Sequence, residues 1–106
     1  MNFDANADDF TIGVIGAGAM GQGIVQVSLQ GGMQVLLFDA NEEVALAGRN
    51  AIFQRLDRSV DKGRLELDAV NQMKNNLTLV DSIAAFQCCN AVVEAVFEDL
   101  EVKHAV

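Results

Sequence analysis

The feature that most constrains this 106-residue chain is a run of closely spaced glycines between a short apolar stretch and a helical pattern. Residues 11–15 are rich in β-branched side chains and stop at glycine, which predicts a strand buried on both faces. Three apolar residues at helical spacing follow the glycines and predict a helix, with an apolar face formed by Met20, Ile24 and Val27. A strand, a glycine turn and a helix in this order predict an α/β domain, and the length suits one such domain.

Each glycine of the turn has a separate steric reason to be there. Gly16 permits the sharp turn out of the strand, Gly18 leaves room for a diphosphate to approach the backbone, and Gly21 lets the helix pack closely on the sheet. Backbone N–H groups from Ala19 onward then face the phosphates at the positive end of the helix. The alternative is a glycine turn that binds no ligand.

Asp39 ends the second apolar run, at the spacing of about 20 residues expected for the carboxylate that binds an adenosine ribose. A carboxylate accepts hydrogen bonds from both ribose hydroxyls of NAD but repels the 2′-phosphate of NADP. Residues 40–43 add two glutamates and no basic residue. The sequence therefore favours NAD, with an N-cap or a solvated turn as the alternative role for Asp39.

The remaining pattern alternates helices and strands around one interruption. Residues 33–38, 77–80 and 91–96 predict three further strands, and residues 42–61 and 66–75 predict two helices that form a hairpin between the second and third strands. The first helix of the hairpin has an apolar face formed by Leu46, Ile52, Phe53, Leu56 and Val60. Residues 81–86 predict a short helix, and residues 98–106 predict the beginning of another.

Charge excludes several function classes. The chain has 7 basic and 15 acidic residues, a net charge of −8, which disfavours nucleic acid and anionic membranes as partners. Residues 1–10 form a polar, acidic leader unlike a signal peptide, and no stretch suits a membrane-spanning helix, so we predict a cytoplasmic protein. Five of the basic residues cluster within residues 49–64: Arg49, Arg55, Arg58, Lys62 and Arg64. This cluster favours a solvated helix face, and a site for a phosphorylated substrate tail is the alternative.

Metal and disulfide chemistry find little support in the sequence. Cys88 and Cys89 are adjacent, which fits neither a disulfide framework nor the C-x-x-C spacing of zinc and redox sites. We interpret them as small buried residues that lead into the fourth strand. His104 is the one histidine and is predicted to lie on the surface, so no metal site is predicted.

Taken together, four segments resemble the NAD-binding domain of the 3-hydroxyacyl-CoA dehydrogenases, which include the 3-hydroxybutyryl-CoA enzymes. The segments are VIGAGAMGQGI at 14–24, Phe38-Asp39, the hairpin turn Lys62-Gly63, and EAVFEDLEVK at 94–103. The glycine segment is shared by many Rossmann proteins, whereas the block at 94–103 is more specific. The resemblance covers residues 11–106 and implies a partial Rossmann fold, a doubly wound parallel sheet without its catalytic and helical substrate domain.

The resemblance also implies which residues bind the cofactor. The diphosphate would lie against Gly16, Gly18, Ala19, Met20 and Gly21, and Asp39 would bind the adenine ribose. Ala95 and Val96 would line the groove, and Glu98 and Lys103 would lie near the nicotinamide ribose. Glu98 has an alternative role as a favourable charge at a helix N-terminus.

The family's reaction is the oxidation of (3S)-3-hydroxyacyl-CoA to 3-ketoacyl-CoA, with NAD as hydride acceptor, by homo-oligomers that serve fatty acid metabolism. Its catalytic histidine–glutamate pair, serine and asparagine follow the region covered by this chain, and His104 is not that histidine. The resemblance therefore implies an acyl-CoA substrate for the full-length enzyme and no activity for these 106 residues alone. It also implies an open edge at the fourth strand, and hence self-association.

Two alternatives remain from the residues. One is a stand-alone NAD-binding or assembly module without turnover. The other is a β-hydroxyacid dehydrogenase related to 6-phosphogluconate dehydrogenase, because that group shares the Gly-x-Gly-x-Met-Gly turn.

Overall fold

The computed structural model describes residues 10–96 and 99–104, and the side chains of residues 10–95. The strands are β1 (Thr11–Ile15), β2 (Gln34–Phe38), β3 (Leu77–Leu79), β4 (Ala91–Val96) and β5 (Asp99–His104). The α-helices are α1 (Ala19–Gln30), α2 (Glu42–Asp61) and α3 (Leu67–Asn75), and Ile83–Cys88 forms a 3-10 helix.

The strands form a single sheet in the order β3-β2-β1-β4-β5. β1 pairs in parallel with both β2 and β4, and β2 pairs in parallel with β3. The strand order therefore reverses between β1 and β4, which is the switch point where such sheets open a crevice for ligands. The predicted α/β Rossmann fold with a helix hairpin between the second and third strands is confirmed.

The core lies between one face of the sheet and the three α-helices. Alternate strand residues face the helices, so Val14, Val35 and Leu37 are fully buried. The helices contribute a matching set of fully or almost fully buried side chains: Val25, Leu29, Ile52, Leu56, Val70 and Met73. Burial of each larger side chain stabilises the fold by about 1.5–3 kcal/mol.

Two helix faces differ from the predicted ones. In α1 the buried residues are Gly21, Val25, Ser28 and Leu29, whereas Val27 is 70% exposed. In α2, Ile52 and Leu56 are buried as predicted, but Leu46 is 44% exposed and Ala45 is buried in its place. A shift of one residue rotates the position on a helix by about 100°. The apolar pattern of these two helices did not identify which of two neighbouring faces is buried.

The opposite face of the sheet is covered by the 3-10 helix. A Cβ on Gly13 would lie 3.0 Å from the Phe86 ring and 3.1 Å from the Cys89 sulfur, so a larger residue at this position would require these side chains to shift by a few tenths of an ångström. Cys89 is buried, as predicted, but Cys88 is exposed.

The two cysteines are expected to differ in reactivity. Burial, together with the neighbouring Cys88, raises the pKa of the Cys89 thiol to about 11, which keeps it protonated and unreactive at mildly alkaline pH. We expect iodoacetamide to modify one thiol in the native chain, mapped to Cys88, and both thiols in denaturant. Rapid modification of both thiols in the native chain would contradict the burial of Cys89.

The prediction of a helix after the fourth strand is wrong for the described part of that segment. Asp99–His104 forms β5, which pairs antiparallel with β4. Leu100 and Val102 alternate with charged residues, a period of two that suits a strand, and pairing satisfies the backbone groups along the edge of β4. The predicted open edge of the fourth strand is therefore also wrong.

Candidate functional site

A groove of about 520 Å³ opens at the carboxyl end of β1. Its lining comprises Gly16, Gly18, Ala19, Met20, Gly21, Asp39, Val44 and Ala95. The groove thus brings together the predicted site residues of the glycine turn, Asp39 after the end of β2, and Ala95 of β4. Val44, at the start of α2, is an addition that sequence reasoning missed.

Two of the glycines are required by the fold itself. Gly16 has a φ of 103°, and a Cβ there would lie 2.2 Å from the Ala95 carbonyl oxygen. A Cβ on Gly21 would lie 1.7 Å from the Gly16 carbonyl oxygen, so only glycine allows α1 to pack this closely against the turn.

Gly18 differs from both. Its backbone is extended, with φ −74° and ψ −170°, a conformation open to any residue. A Cβ at this position would meet no protein atom within 4 Å. Because Gly18 lines the groove, the missing side chain leaves free space in the groove rather than space for another part of the protein.

The N-terminus of α1 has no cap from a side chain. Gly18 is its N-cap, and the first turn has no acidic residue. By contrast, Asn41 caps α2 by accepting hydrogen bonds from the N–H groups of Glu43 and Val44, at 2.9 and 3.3 Å. The first-turn amides and the positive end of the α1 dipole therefore face the groove without a side-chain cap or an acidic residue in the first turn.

The carboxylate of Asp39 is held at the side of this groove by two backbone amides. Its Oδ2 accepts a hydrogen bond from the Ala17 N–H and its Oδ1 one from the Asn41 N–H, each 2.9 Å long. The register that pairs Ile15 with Phe38 places Asp39 beside the glycine turn. Each carboxylate oxygen can accept a further hydrogen bond, so the oriented group retains acceptor capacity for a ligand.

A second cavity, of about 770 Å³, shares Asp39 with the groove. Its lining comprises Phe38, Asp39, Ala40, Glu42, Ala45, Leu46, Leu79, Val80, Asp81 and Ala85. The exposed side chain of Leu46 is part of this wall. Sequence reasoning missed the contribution of residues 79–81, although a signal existed, because β3 ends at the same edge of the sheet as β1 and β2.

Of the three remaining predicted site residues, the described structure tests neither Val96 nor Glu98, and it places the backbone of Lys103 away from the groove. Val96 ends β4 and only its backbone is described, while Glu98 lies outside the described residues. Lys103 is in β5 opposite Val92, three positions before Ala95, or about 10 Å along the strand. This placement follows from the strand that replaces the predicted helix.

The basic cluster does not form one site. Arg58, Lys62 and Arg64 are exposed, in agreement with a solvated surface. The Arg49 guanidinium lies 5.9 Å from the centroid of the Phe53 ring. Arg55 instead donates hydrogen bonds to two glutamines of α1, which sequence reasoning missed because the partners are 29 and 33 positions away.

The described residues contain neither a metal-binding cluster nor a membrane-spanning helix. Within 10–96 and 99–104, no group of three or more histidine, cysteine or acidic side chains is arranged to hold a metal ion. In the same part of the chain, no helix has the length and apolar character needed to cross a bilayer.

Comparison with known proteins decides the family. The family model described as 3-hydroxyacyl-CoA dehydrogenase, NAD binding domain, matches residues 11–106. The chain belongs to this family. NAD is the cofactor of the matched domain, which confirms the resemblance and the predicted cofactor. The role of Asp39 in binding it stays a prediction.

Individual relatives agree with this assignment. The chain is 38% identical over 96 residues to the 3-hydroxyadipyl-CoA dehydrogenase of Escherichia coli K12, an alignment that spans 91% of this chain and 20% of that protein. It is 36% identical over 95 residues to the 3-hydroxybutyryl-CoA dehydrogenase of Mycobacterium tuberculosis H37Rv, spanning 90% of this chain and 33% of the relative.

A solved structure shows the same fold. The crystal structure of 3-hydroxybutyryl-CoA dehydrogenase from Escherichia coli K12 superposes with a TM-score of 0.81 and 34% identity, covering 85% of this chain and 19% of that one. The chain thus spans between a fifth and a third of the length of these two relatives.

Proposed function

We propose that residues 11–106 bind NAD in the groove and act as the cofactor-binding part of an enzyme. The enzyme would oxidise (3S)-3-hydroxyacyl-CoA to 3-ketoacyl-CoA in fatty acid metabolism. The observation that carries this proposal is the combination of an uncapped helix N-terminus, free space at Gly18 and an oriented carboxylate at Asp39 in one groove.

The diphosphate of NAD fits the end of the groove at α1. Ala19, Met20 and Gly21 would offer first-turn amides to the phosphate oxygens, in the field of the helix dipole. Gly16 shapes the turn, and Gly18 leaves the space through which the diphosphate approaches the backbone. No acidic residue of the first turn opposes the anion.

The adenosine half fits on the other side of Asp39. Its carboxylate would accept hydrogen bonds from the ribose hydroxyls, and the larger cavity behind it offers the apolar walls of Leu46 and Leu79 to the adenine ring. Ala95 and Val96 would line the nicotinamide side, where β4 ends next to β1. A role for Glu98 near the nicotinamide ribose stays a prediction.

NAD supplies the hydride acceptor when it is bound, and the residues of this chain bind and orient it. Among the described residues that line the groove, Asp39 is the one with an ionisable side chain, and the proposal assigns it to the adenosine ribose. The proposed role of the groove is therefore cofactor binding, and we propose that these 106 residues alone bind NAD without reducing it in the presence of 3-hydroxybutyryl-CoA. The homo-oligomeric state and the cytoplasmic location stay predictions.

Asp39→Ala tests the proposed ribose site. We expect the variant to bind NAD about 10-fold to 100-fold more weakly, because two charge-assisted hydrogen bonds to the ribose are lost. The affinity ratio between NAD and NADP should also fall towards one, since the charge that repels the 2′-phosphate is removed. Isothermal titration of both dinucleotides measures the two effects.

Asp39→Ala also removes a contact within the fold, because Asp39 accepts a hydrogen bond from the Ala17 N–H. Damage to the fold would weaken the binding of both dinucleotides alike, whereas loss of the ribose contact changes the ratio of the two affinities. Asp68→Ala is the matched control, since it removes an exposed carboxylate from the first turn of α3, outside the groove. It should leave both affinities unchanged. An Asp39→Ala chain that binds NAD as the unmodified chain does would show that the ribose lies elsewhere.

A further inference from the structure

We propose that Gln22 and Arg55 form a strut that holds the glycine turn in its diphosphate-binding shape. This inference rests on the proposed function, and it assigns a positioning role to two residues outside the groove lining. Arg55 lies about two-thirds of the way along α2, and Gln22 lies in the first turn of α1. Gln22 directly follows the last glycine of the turn, and Arg55 lies outside the glycine segment.

The amide of Gln22 connects two different kinds of partner. Its Nε2 donates a hydrogen bond of 2.9 Å to the carbonyl oxygen of Ala17, and its Oε1 accepts one of 2.5 Å from Nη2 of Arg55. A carbonyl requires a donor and a guanidinium requires an acceptor, so only one orientation of the amide satisfies both. The contact with Arg55 therefore fixes which end of Gln22 faces the turn.

The peptide unit held by this contact is the one that leads into the helix. The Ala17 carbonyl and the Gly18 N–H belong to the same planar peptide unit and point in opposite directions. A hydrogen bond that holds the Ala17 oxygen towards Gln22 therefore directs the Gly18 N–H away from Gln22. Polarisation by Arg55, passed through the Gln22 amide, also makes that N–H a stronger donor.

The neighbouring peptide unit is held from the other side. Oδ2 of Asp39 accepts a hydrogen bond from the Ala17 N–H, so both polar backbone groups of Ala17 have side-chain partners. α2 approaches the same residue, since a Cβ on Gly48 would lie 2.8 Å from the Ala17 carbonyl oxygen. A continuous set of contacts thus joins α2, the glycine turn and the carboxylate proposed to bind the ribose.

Arg55 is suited to this role because its hydrogen-bond partners are neutral. Nη1 donates to Oε1 of Gln26 at 3.3 Å, and Nη2 donates to Gln22. Neither partner cancels the positive charge, which remains behind the turn that would receive the diphosphate. The Arg55–Gln26 contact lies one helical turn further along α1 and does not reach the glycine turn, so it offers a matched control.

The test compares Gln22→Met, Arg55→Met, their combination and Gln26→Met for the binding of NAD and of adenosine, which lacks the diphosphate. We expect Gln22→Met to weaken NAD binding by about tenfold, because the variant loses the hydrogen bond that Gln22, itself bound to the Arg55 guanidinium, donates to the turn.

Adenosine binding by the same variant should change by less than about twofold. The double variant should bind NAD no more weakly than Gln22→Met, because the two residues act in series. Gln26→Met should match the unmodified chain.

Thermal unfolding of each variant shows which results concern the fold. If Gln22→Met does not fold, Arg55→Met provides the second test, because it leaves Gln22 in place and removes the group that orients its amide, and unchanged NAD binding by that variant would equally overturn the strut. Unchanged NAD binding in the folded Gln22 variant, or equal losses for NAD and adenosine, would overturn the strut. Absence of NAD binding by the unmodified chain would instead overturn the proposed function, so the two failures are distinguishable.

Discussion

Gly18→Asp is expected to make the chain more stable and to weaken NAD binding by at least about 100-fold, or 2.8 kcal/mol. The aspartate would cap α1 by accepting hydrogen bonds from first-turn amides, and its charge would interact favourably with the helix dipole. The extended backbone of Gly18 suits an N-cap, and the added Cβ meets no protein atom within 4 Å. The same carboxylate would occupy the amides and the space proposed for the diphosphate.

The prediction is specific because Gly18→Asp is expected to raise the stability of the chain and at the same time to lower its affinity for NAD. Thermal unfolding should show a rise in Tm of roughly 3 to 6 °C, and calorimetry should show the loss of NAD binding. Gly23→Ala is the matched control, since Gly23 is an exposed residue of α1 with open space around it. That variant should gain helix stability and bind NAD normally. NAD binding by Gly18→Asp within about threefold of the unmodified chain would place the diphosphate elsewhere.

Gly21→Ala is expected to destabilise the chain by more than about 3 kcal/mol, a large part of the stability of a small domain. The new Cβ would lie 1.7 Å from the Gly16 carbonyl oxygen and 2.9 Å from its carbon. Both are backbone atoms, so no side chain can move aside, and α1 must shift away from the turn. Urea unfolding measures the loss.

The Gly23→Ala control is again informative here, because it makes the same substitution two residues further along α1. It should change the free energy of unfolding in the opposite direction, by about 0.5–1 kcal/mol. A Gly21→Ala variant with a free energy of unfolding within about 1 kcal/mol of the unmodified chain would contradict the packing of α1 on Gly16.

The glycine turn and Asp39 could be predicted from the sequence because their requirements are local. Gly16 and Gly21 answer steric needs set by a strand that turns directly into a helix, whereas Gly18 leaves free space in the groove. The bounds of α2, residues 42–61, could also be predicted, because Ile52, Leu56 and Val60 recur at helical spacing and the turn at Lys62-Gly63 follows them.

The features that could not be predicted depend on distant partners or on ambiguous patterns. Gln22 and Arg55 are far apart in the chain, and neither residue type indicates a contact. Leu46 belongs to a cavity wall because β3 ends beside it, which helical periodicity does not show. Residues 99–104 suit a strand through alternation, although residues 98–106 are predicted from the sequence to begin a helix. In each case tertiary context decided the outcome.

The most direct test of NAD binding in this groove is a titration of the chain with NAD followed by backbone amide NMR. We expect saturable shifts at the amides of residues 18–21 and around Asp39, where the diphosphate and the ribose would bind, and none in α3, which lies outside the groove. No saturable shift, or shifts centred on α3, would contradict the account.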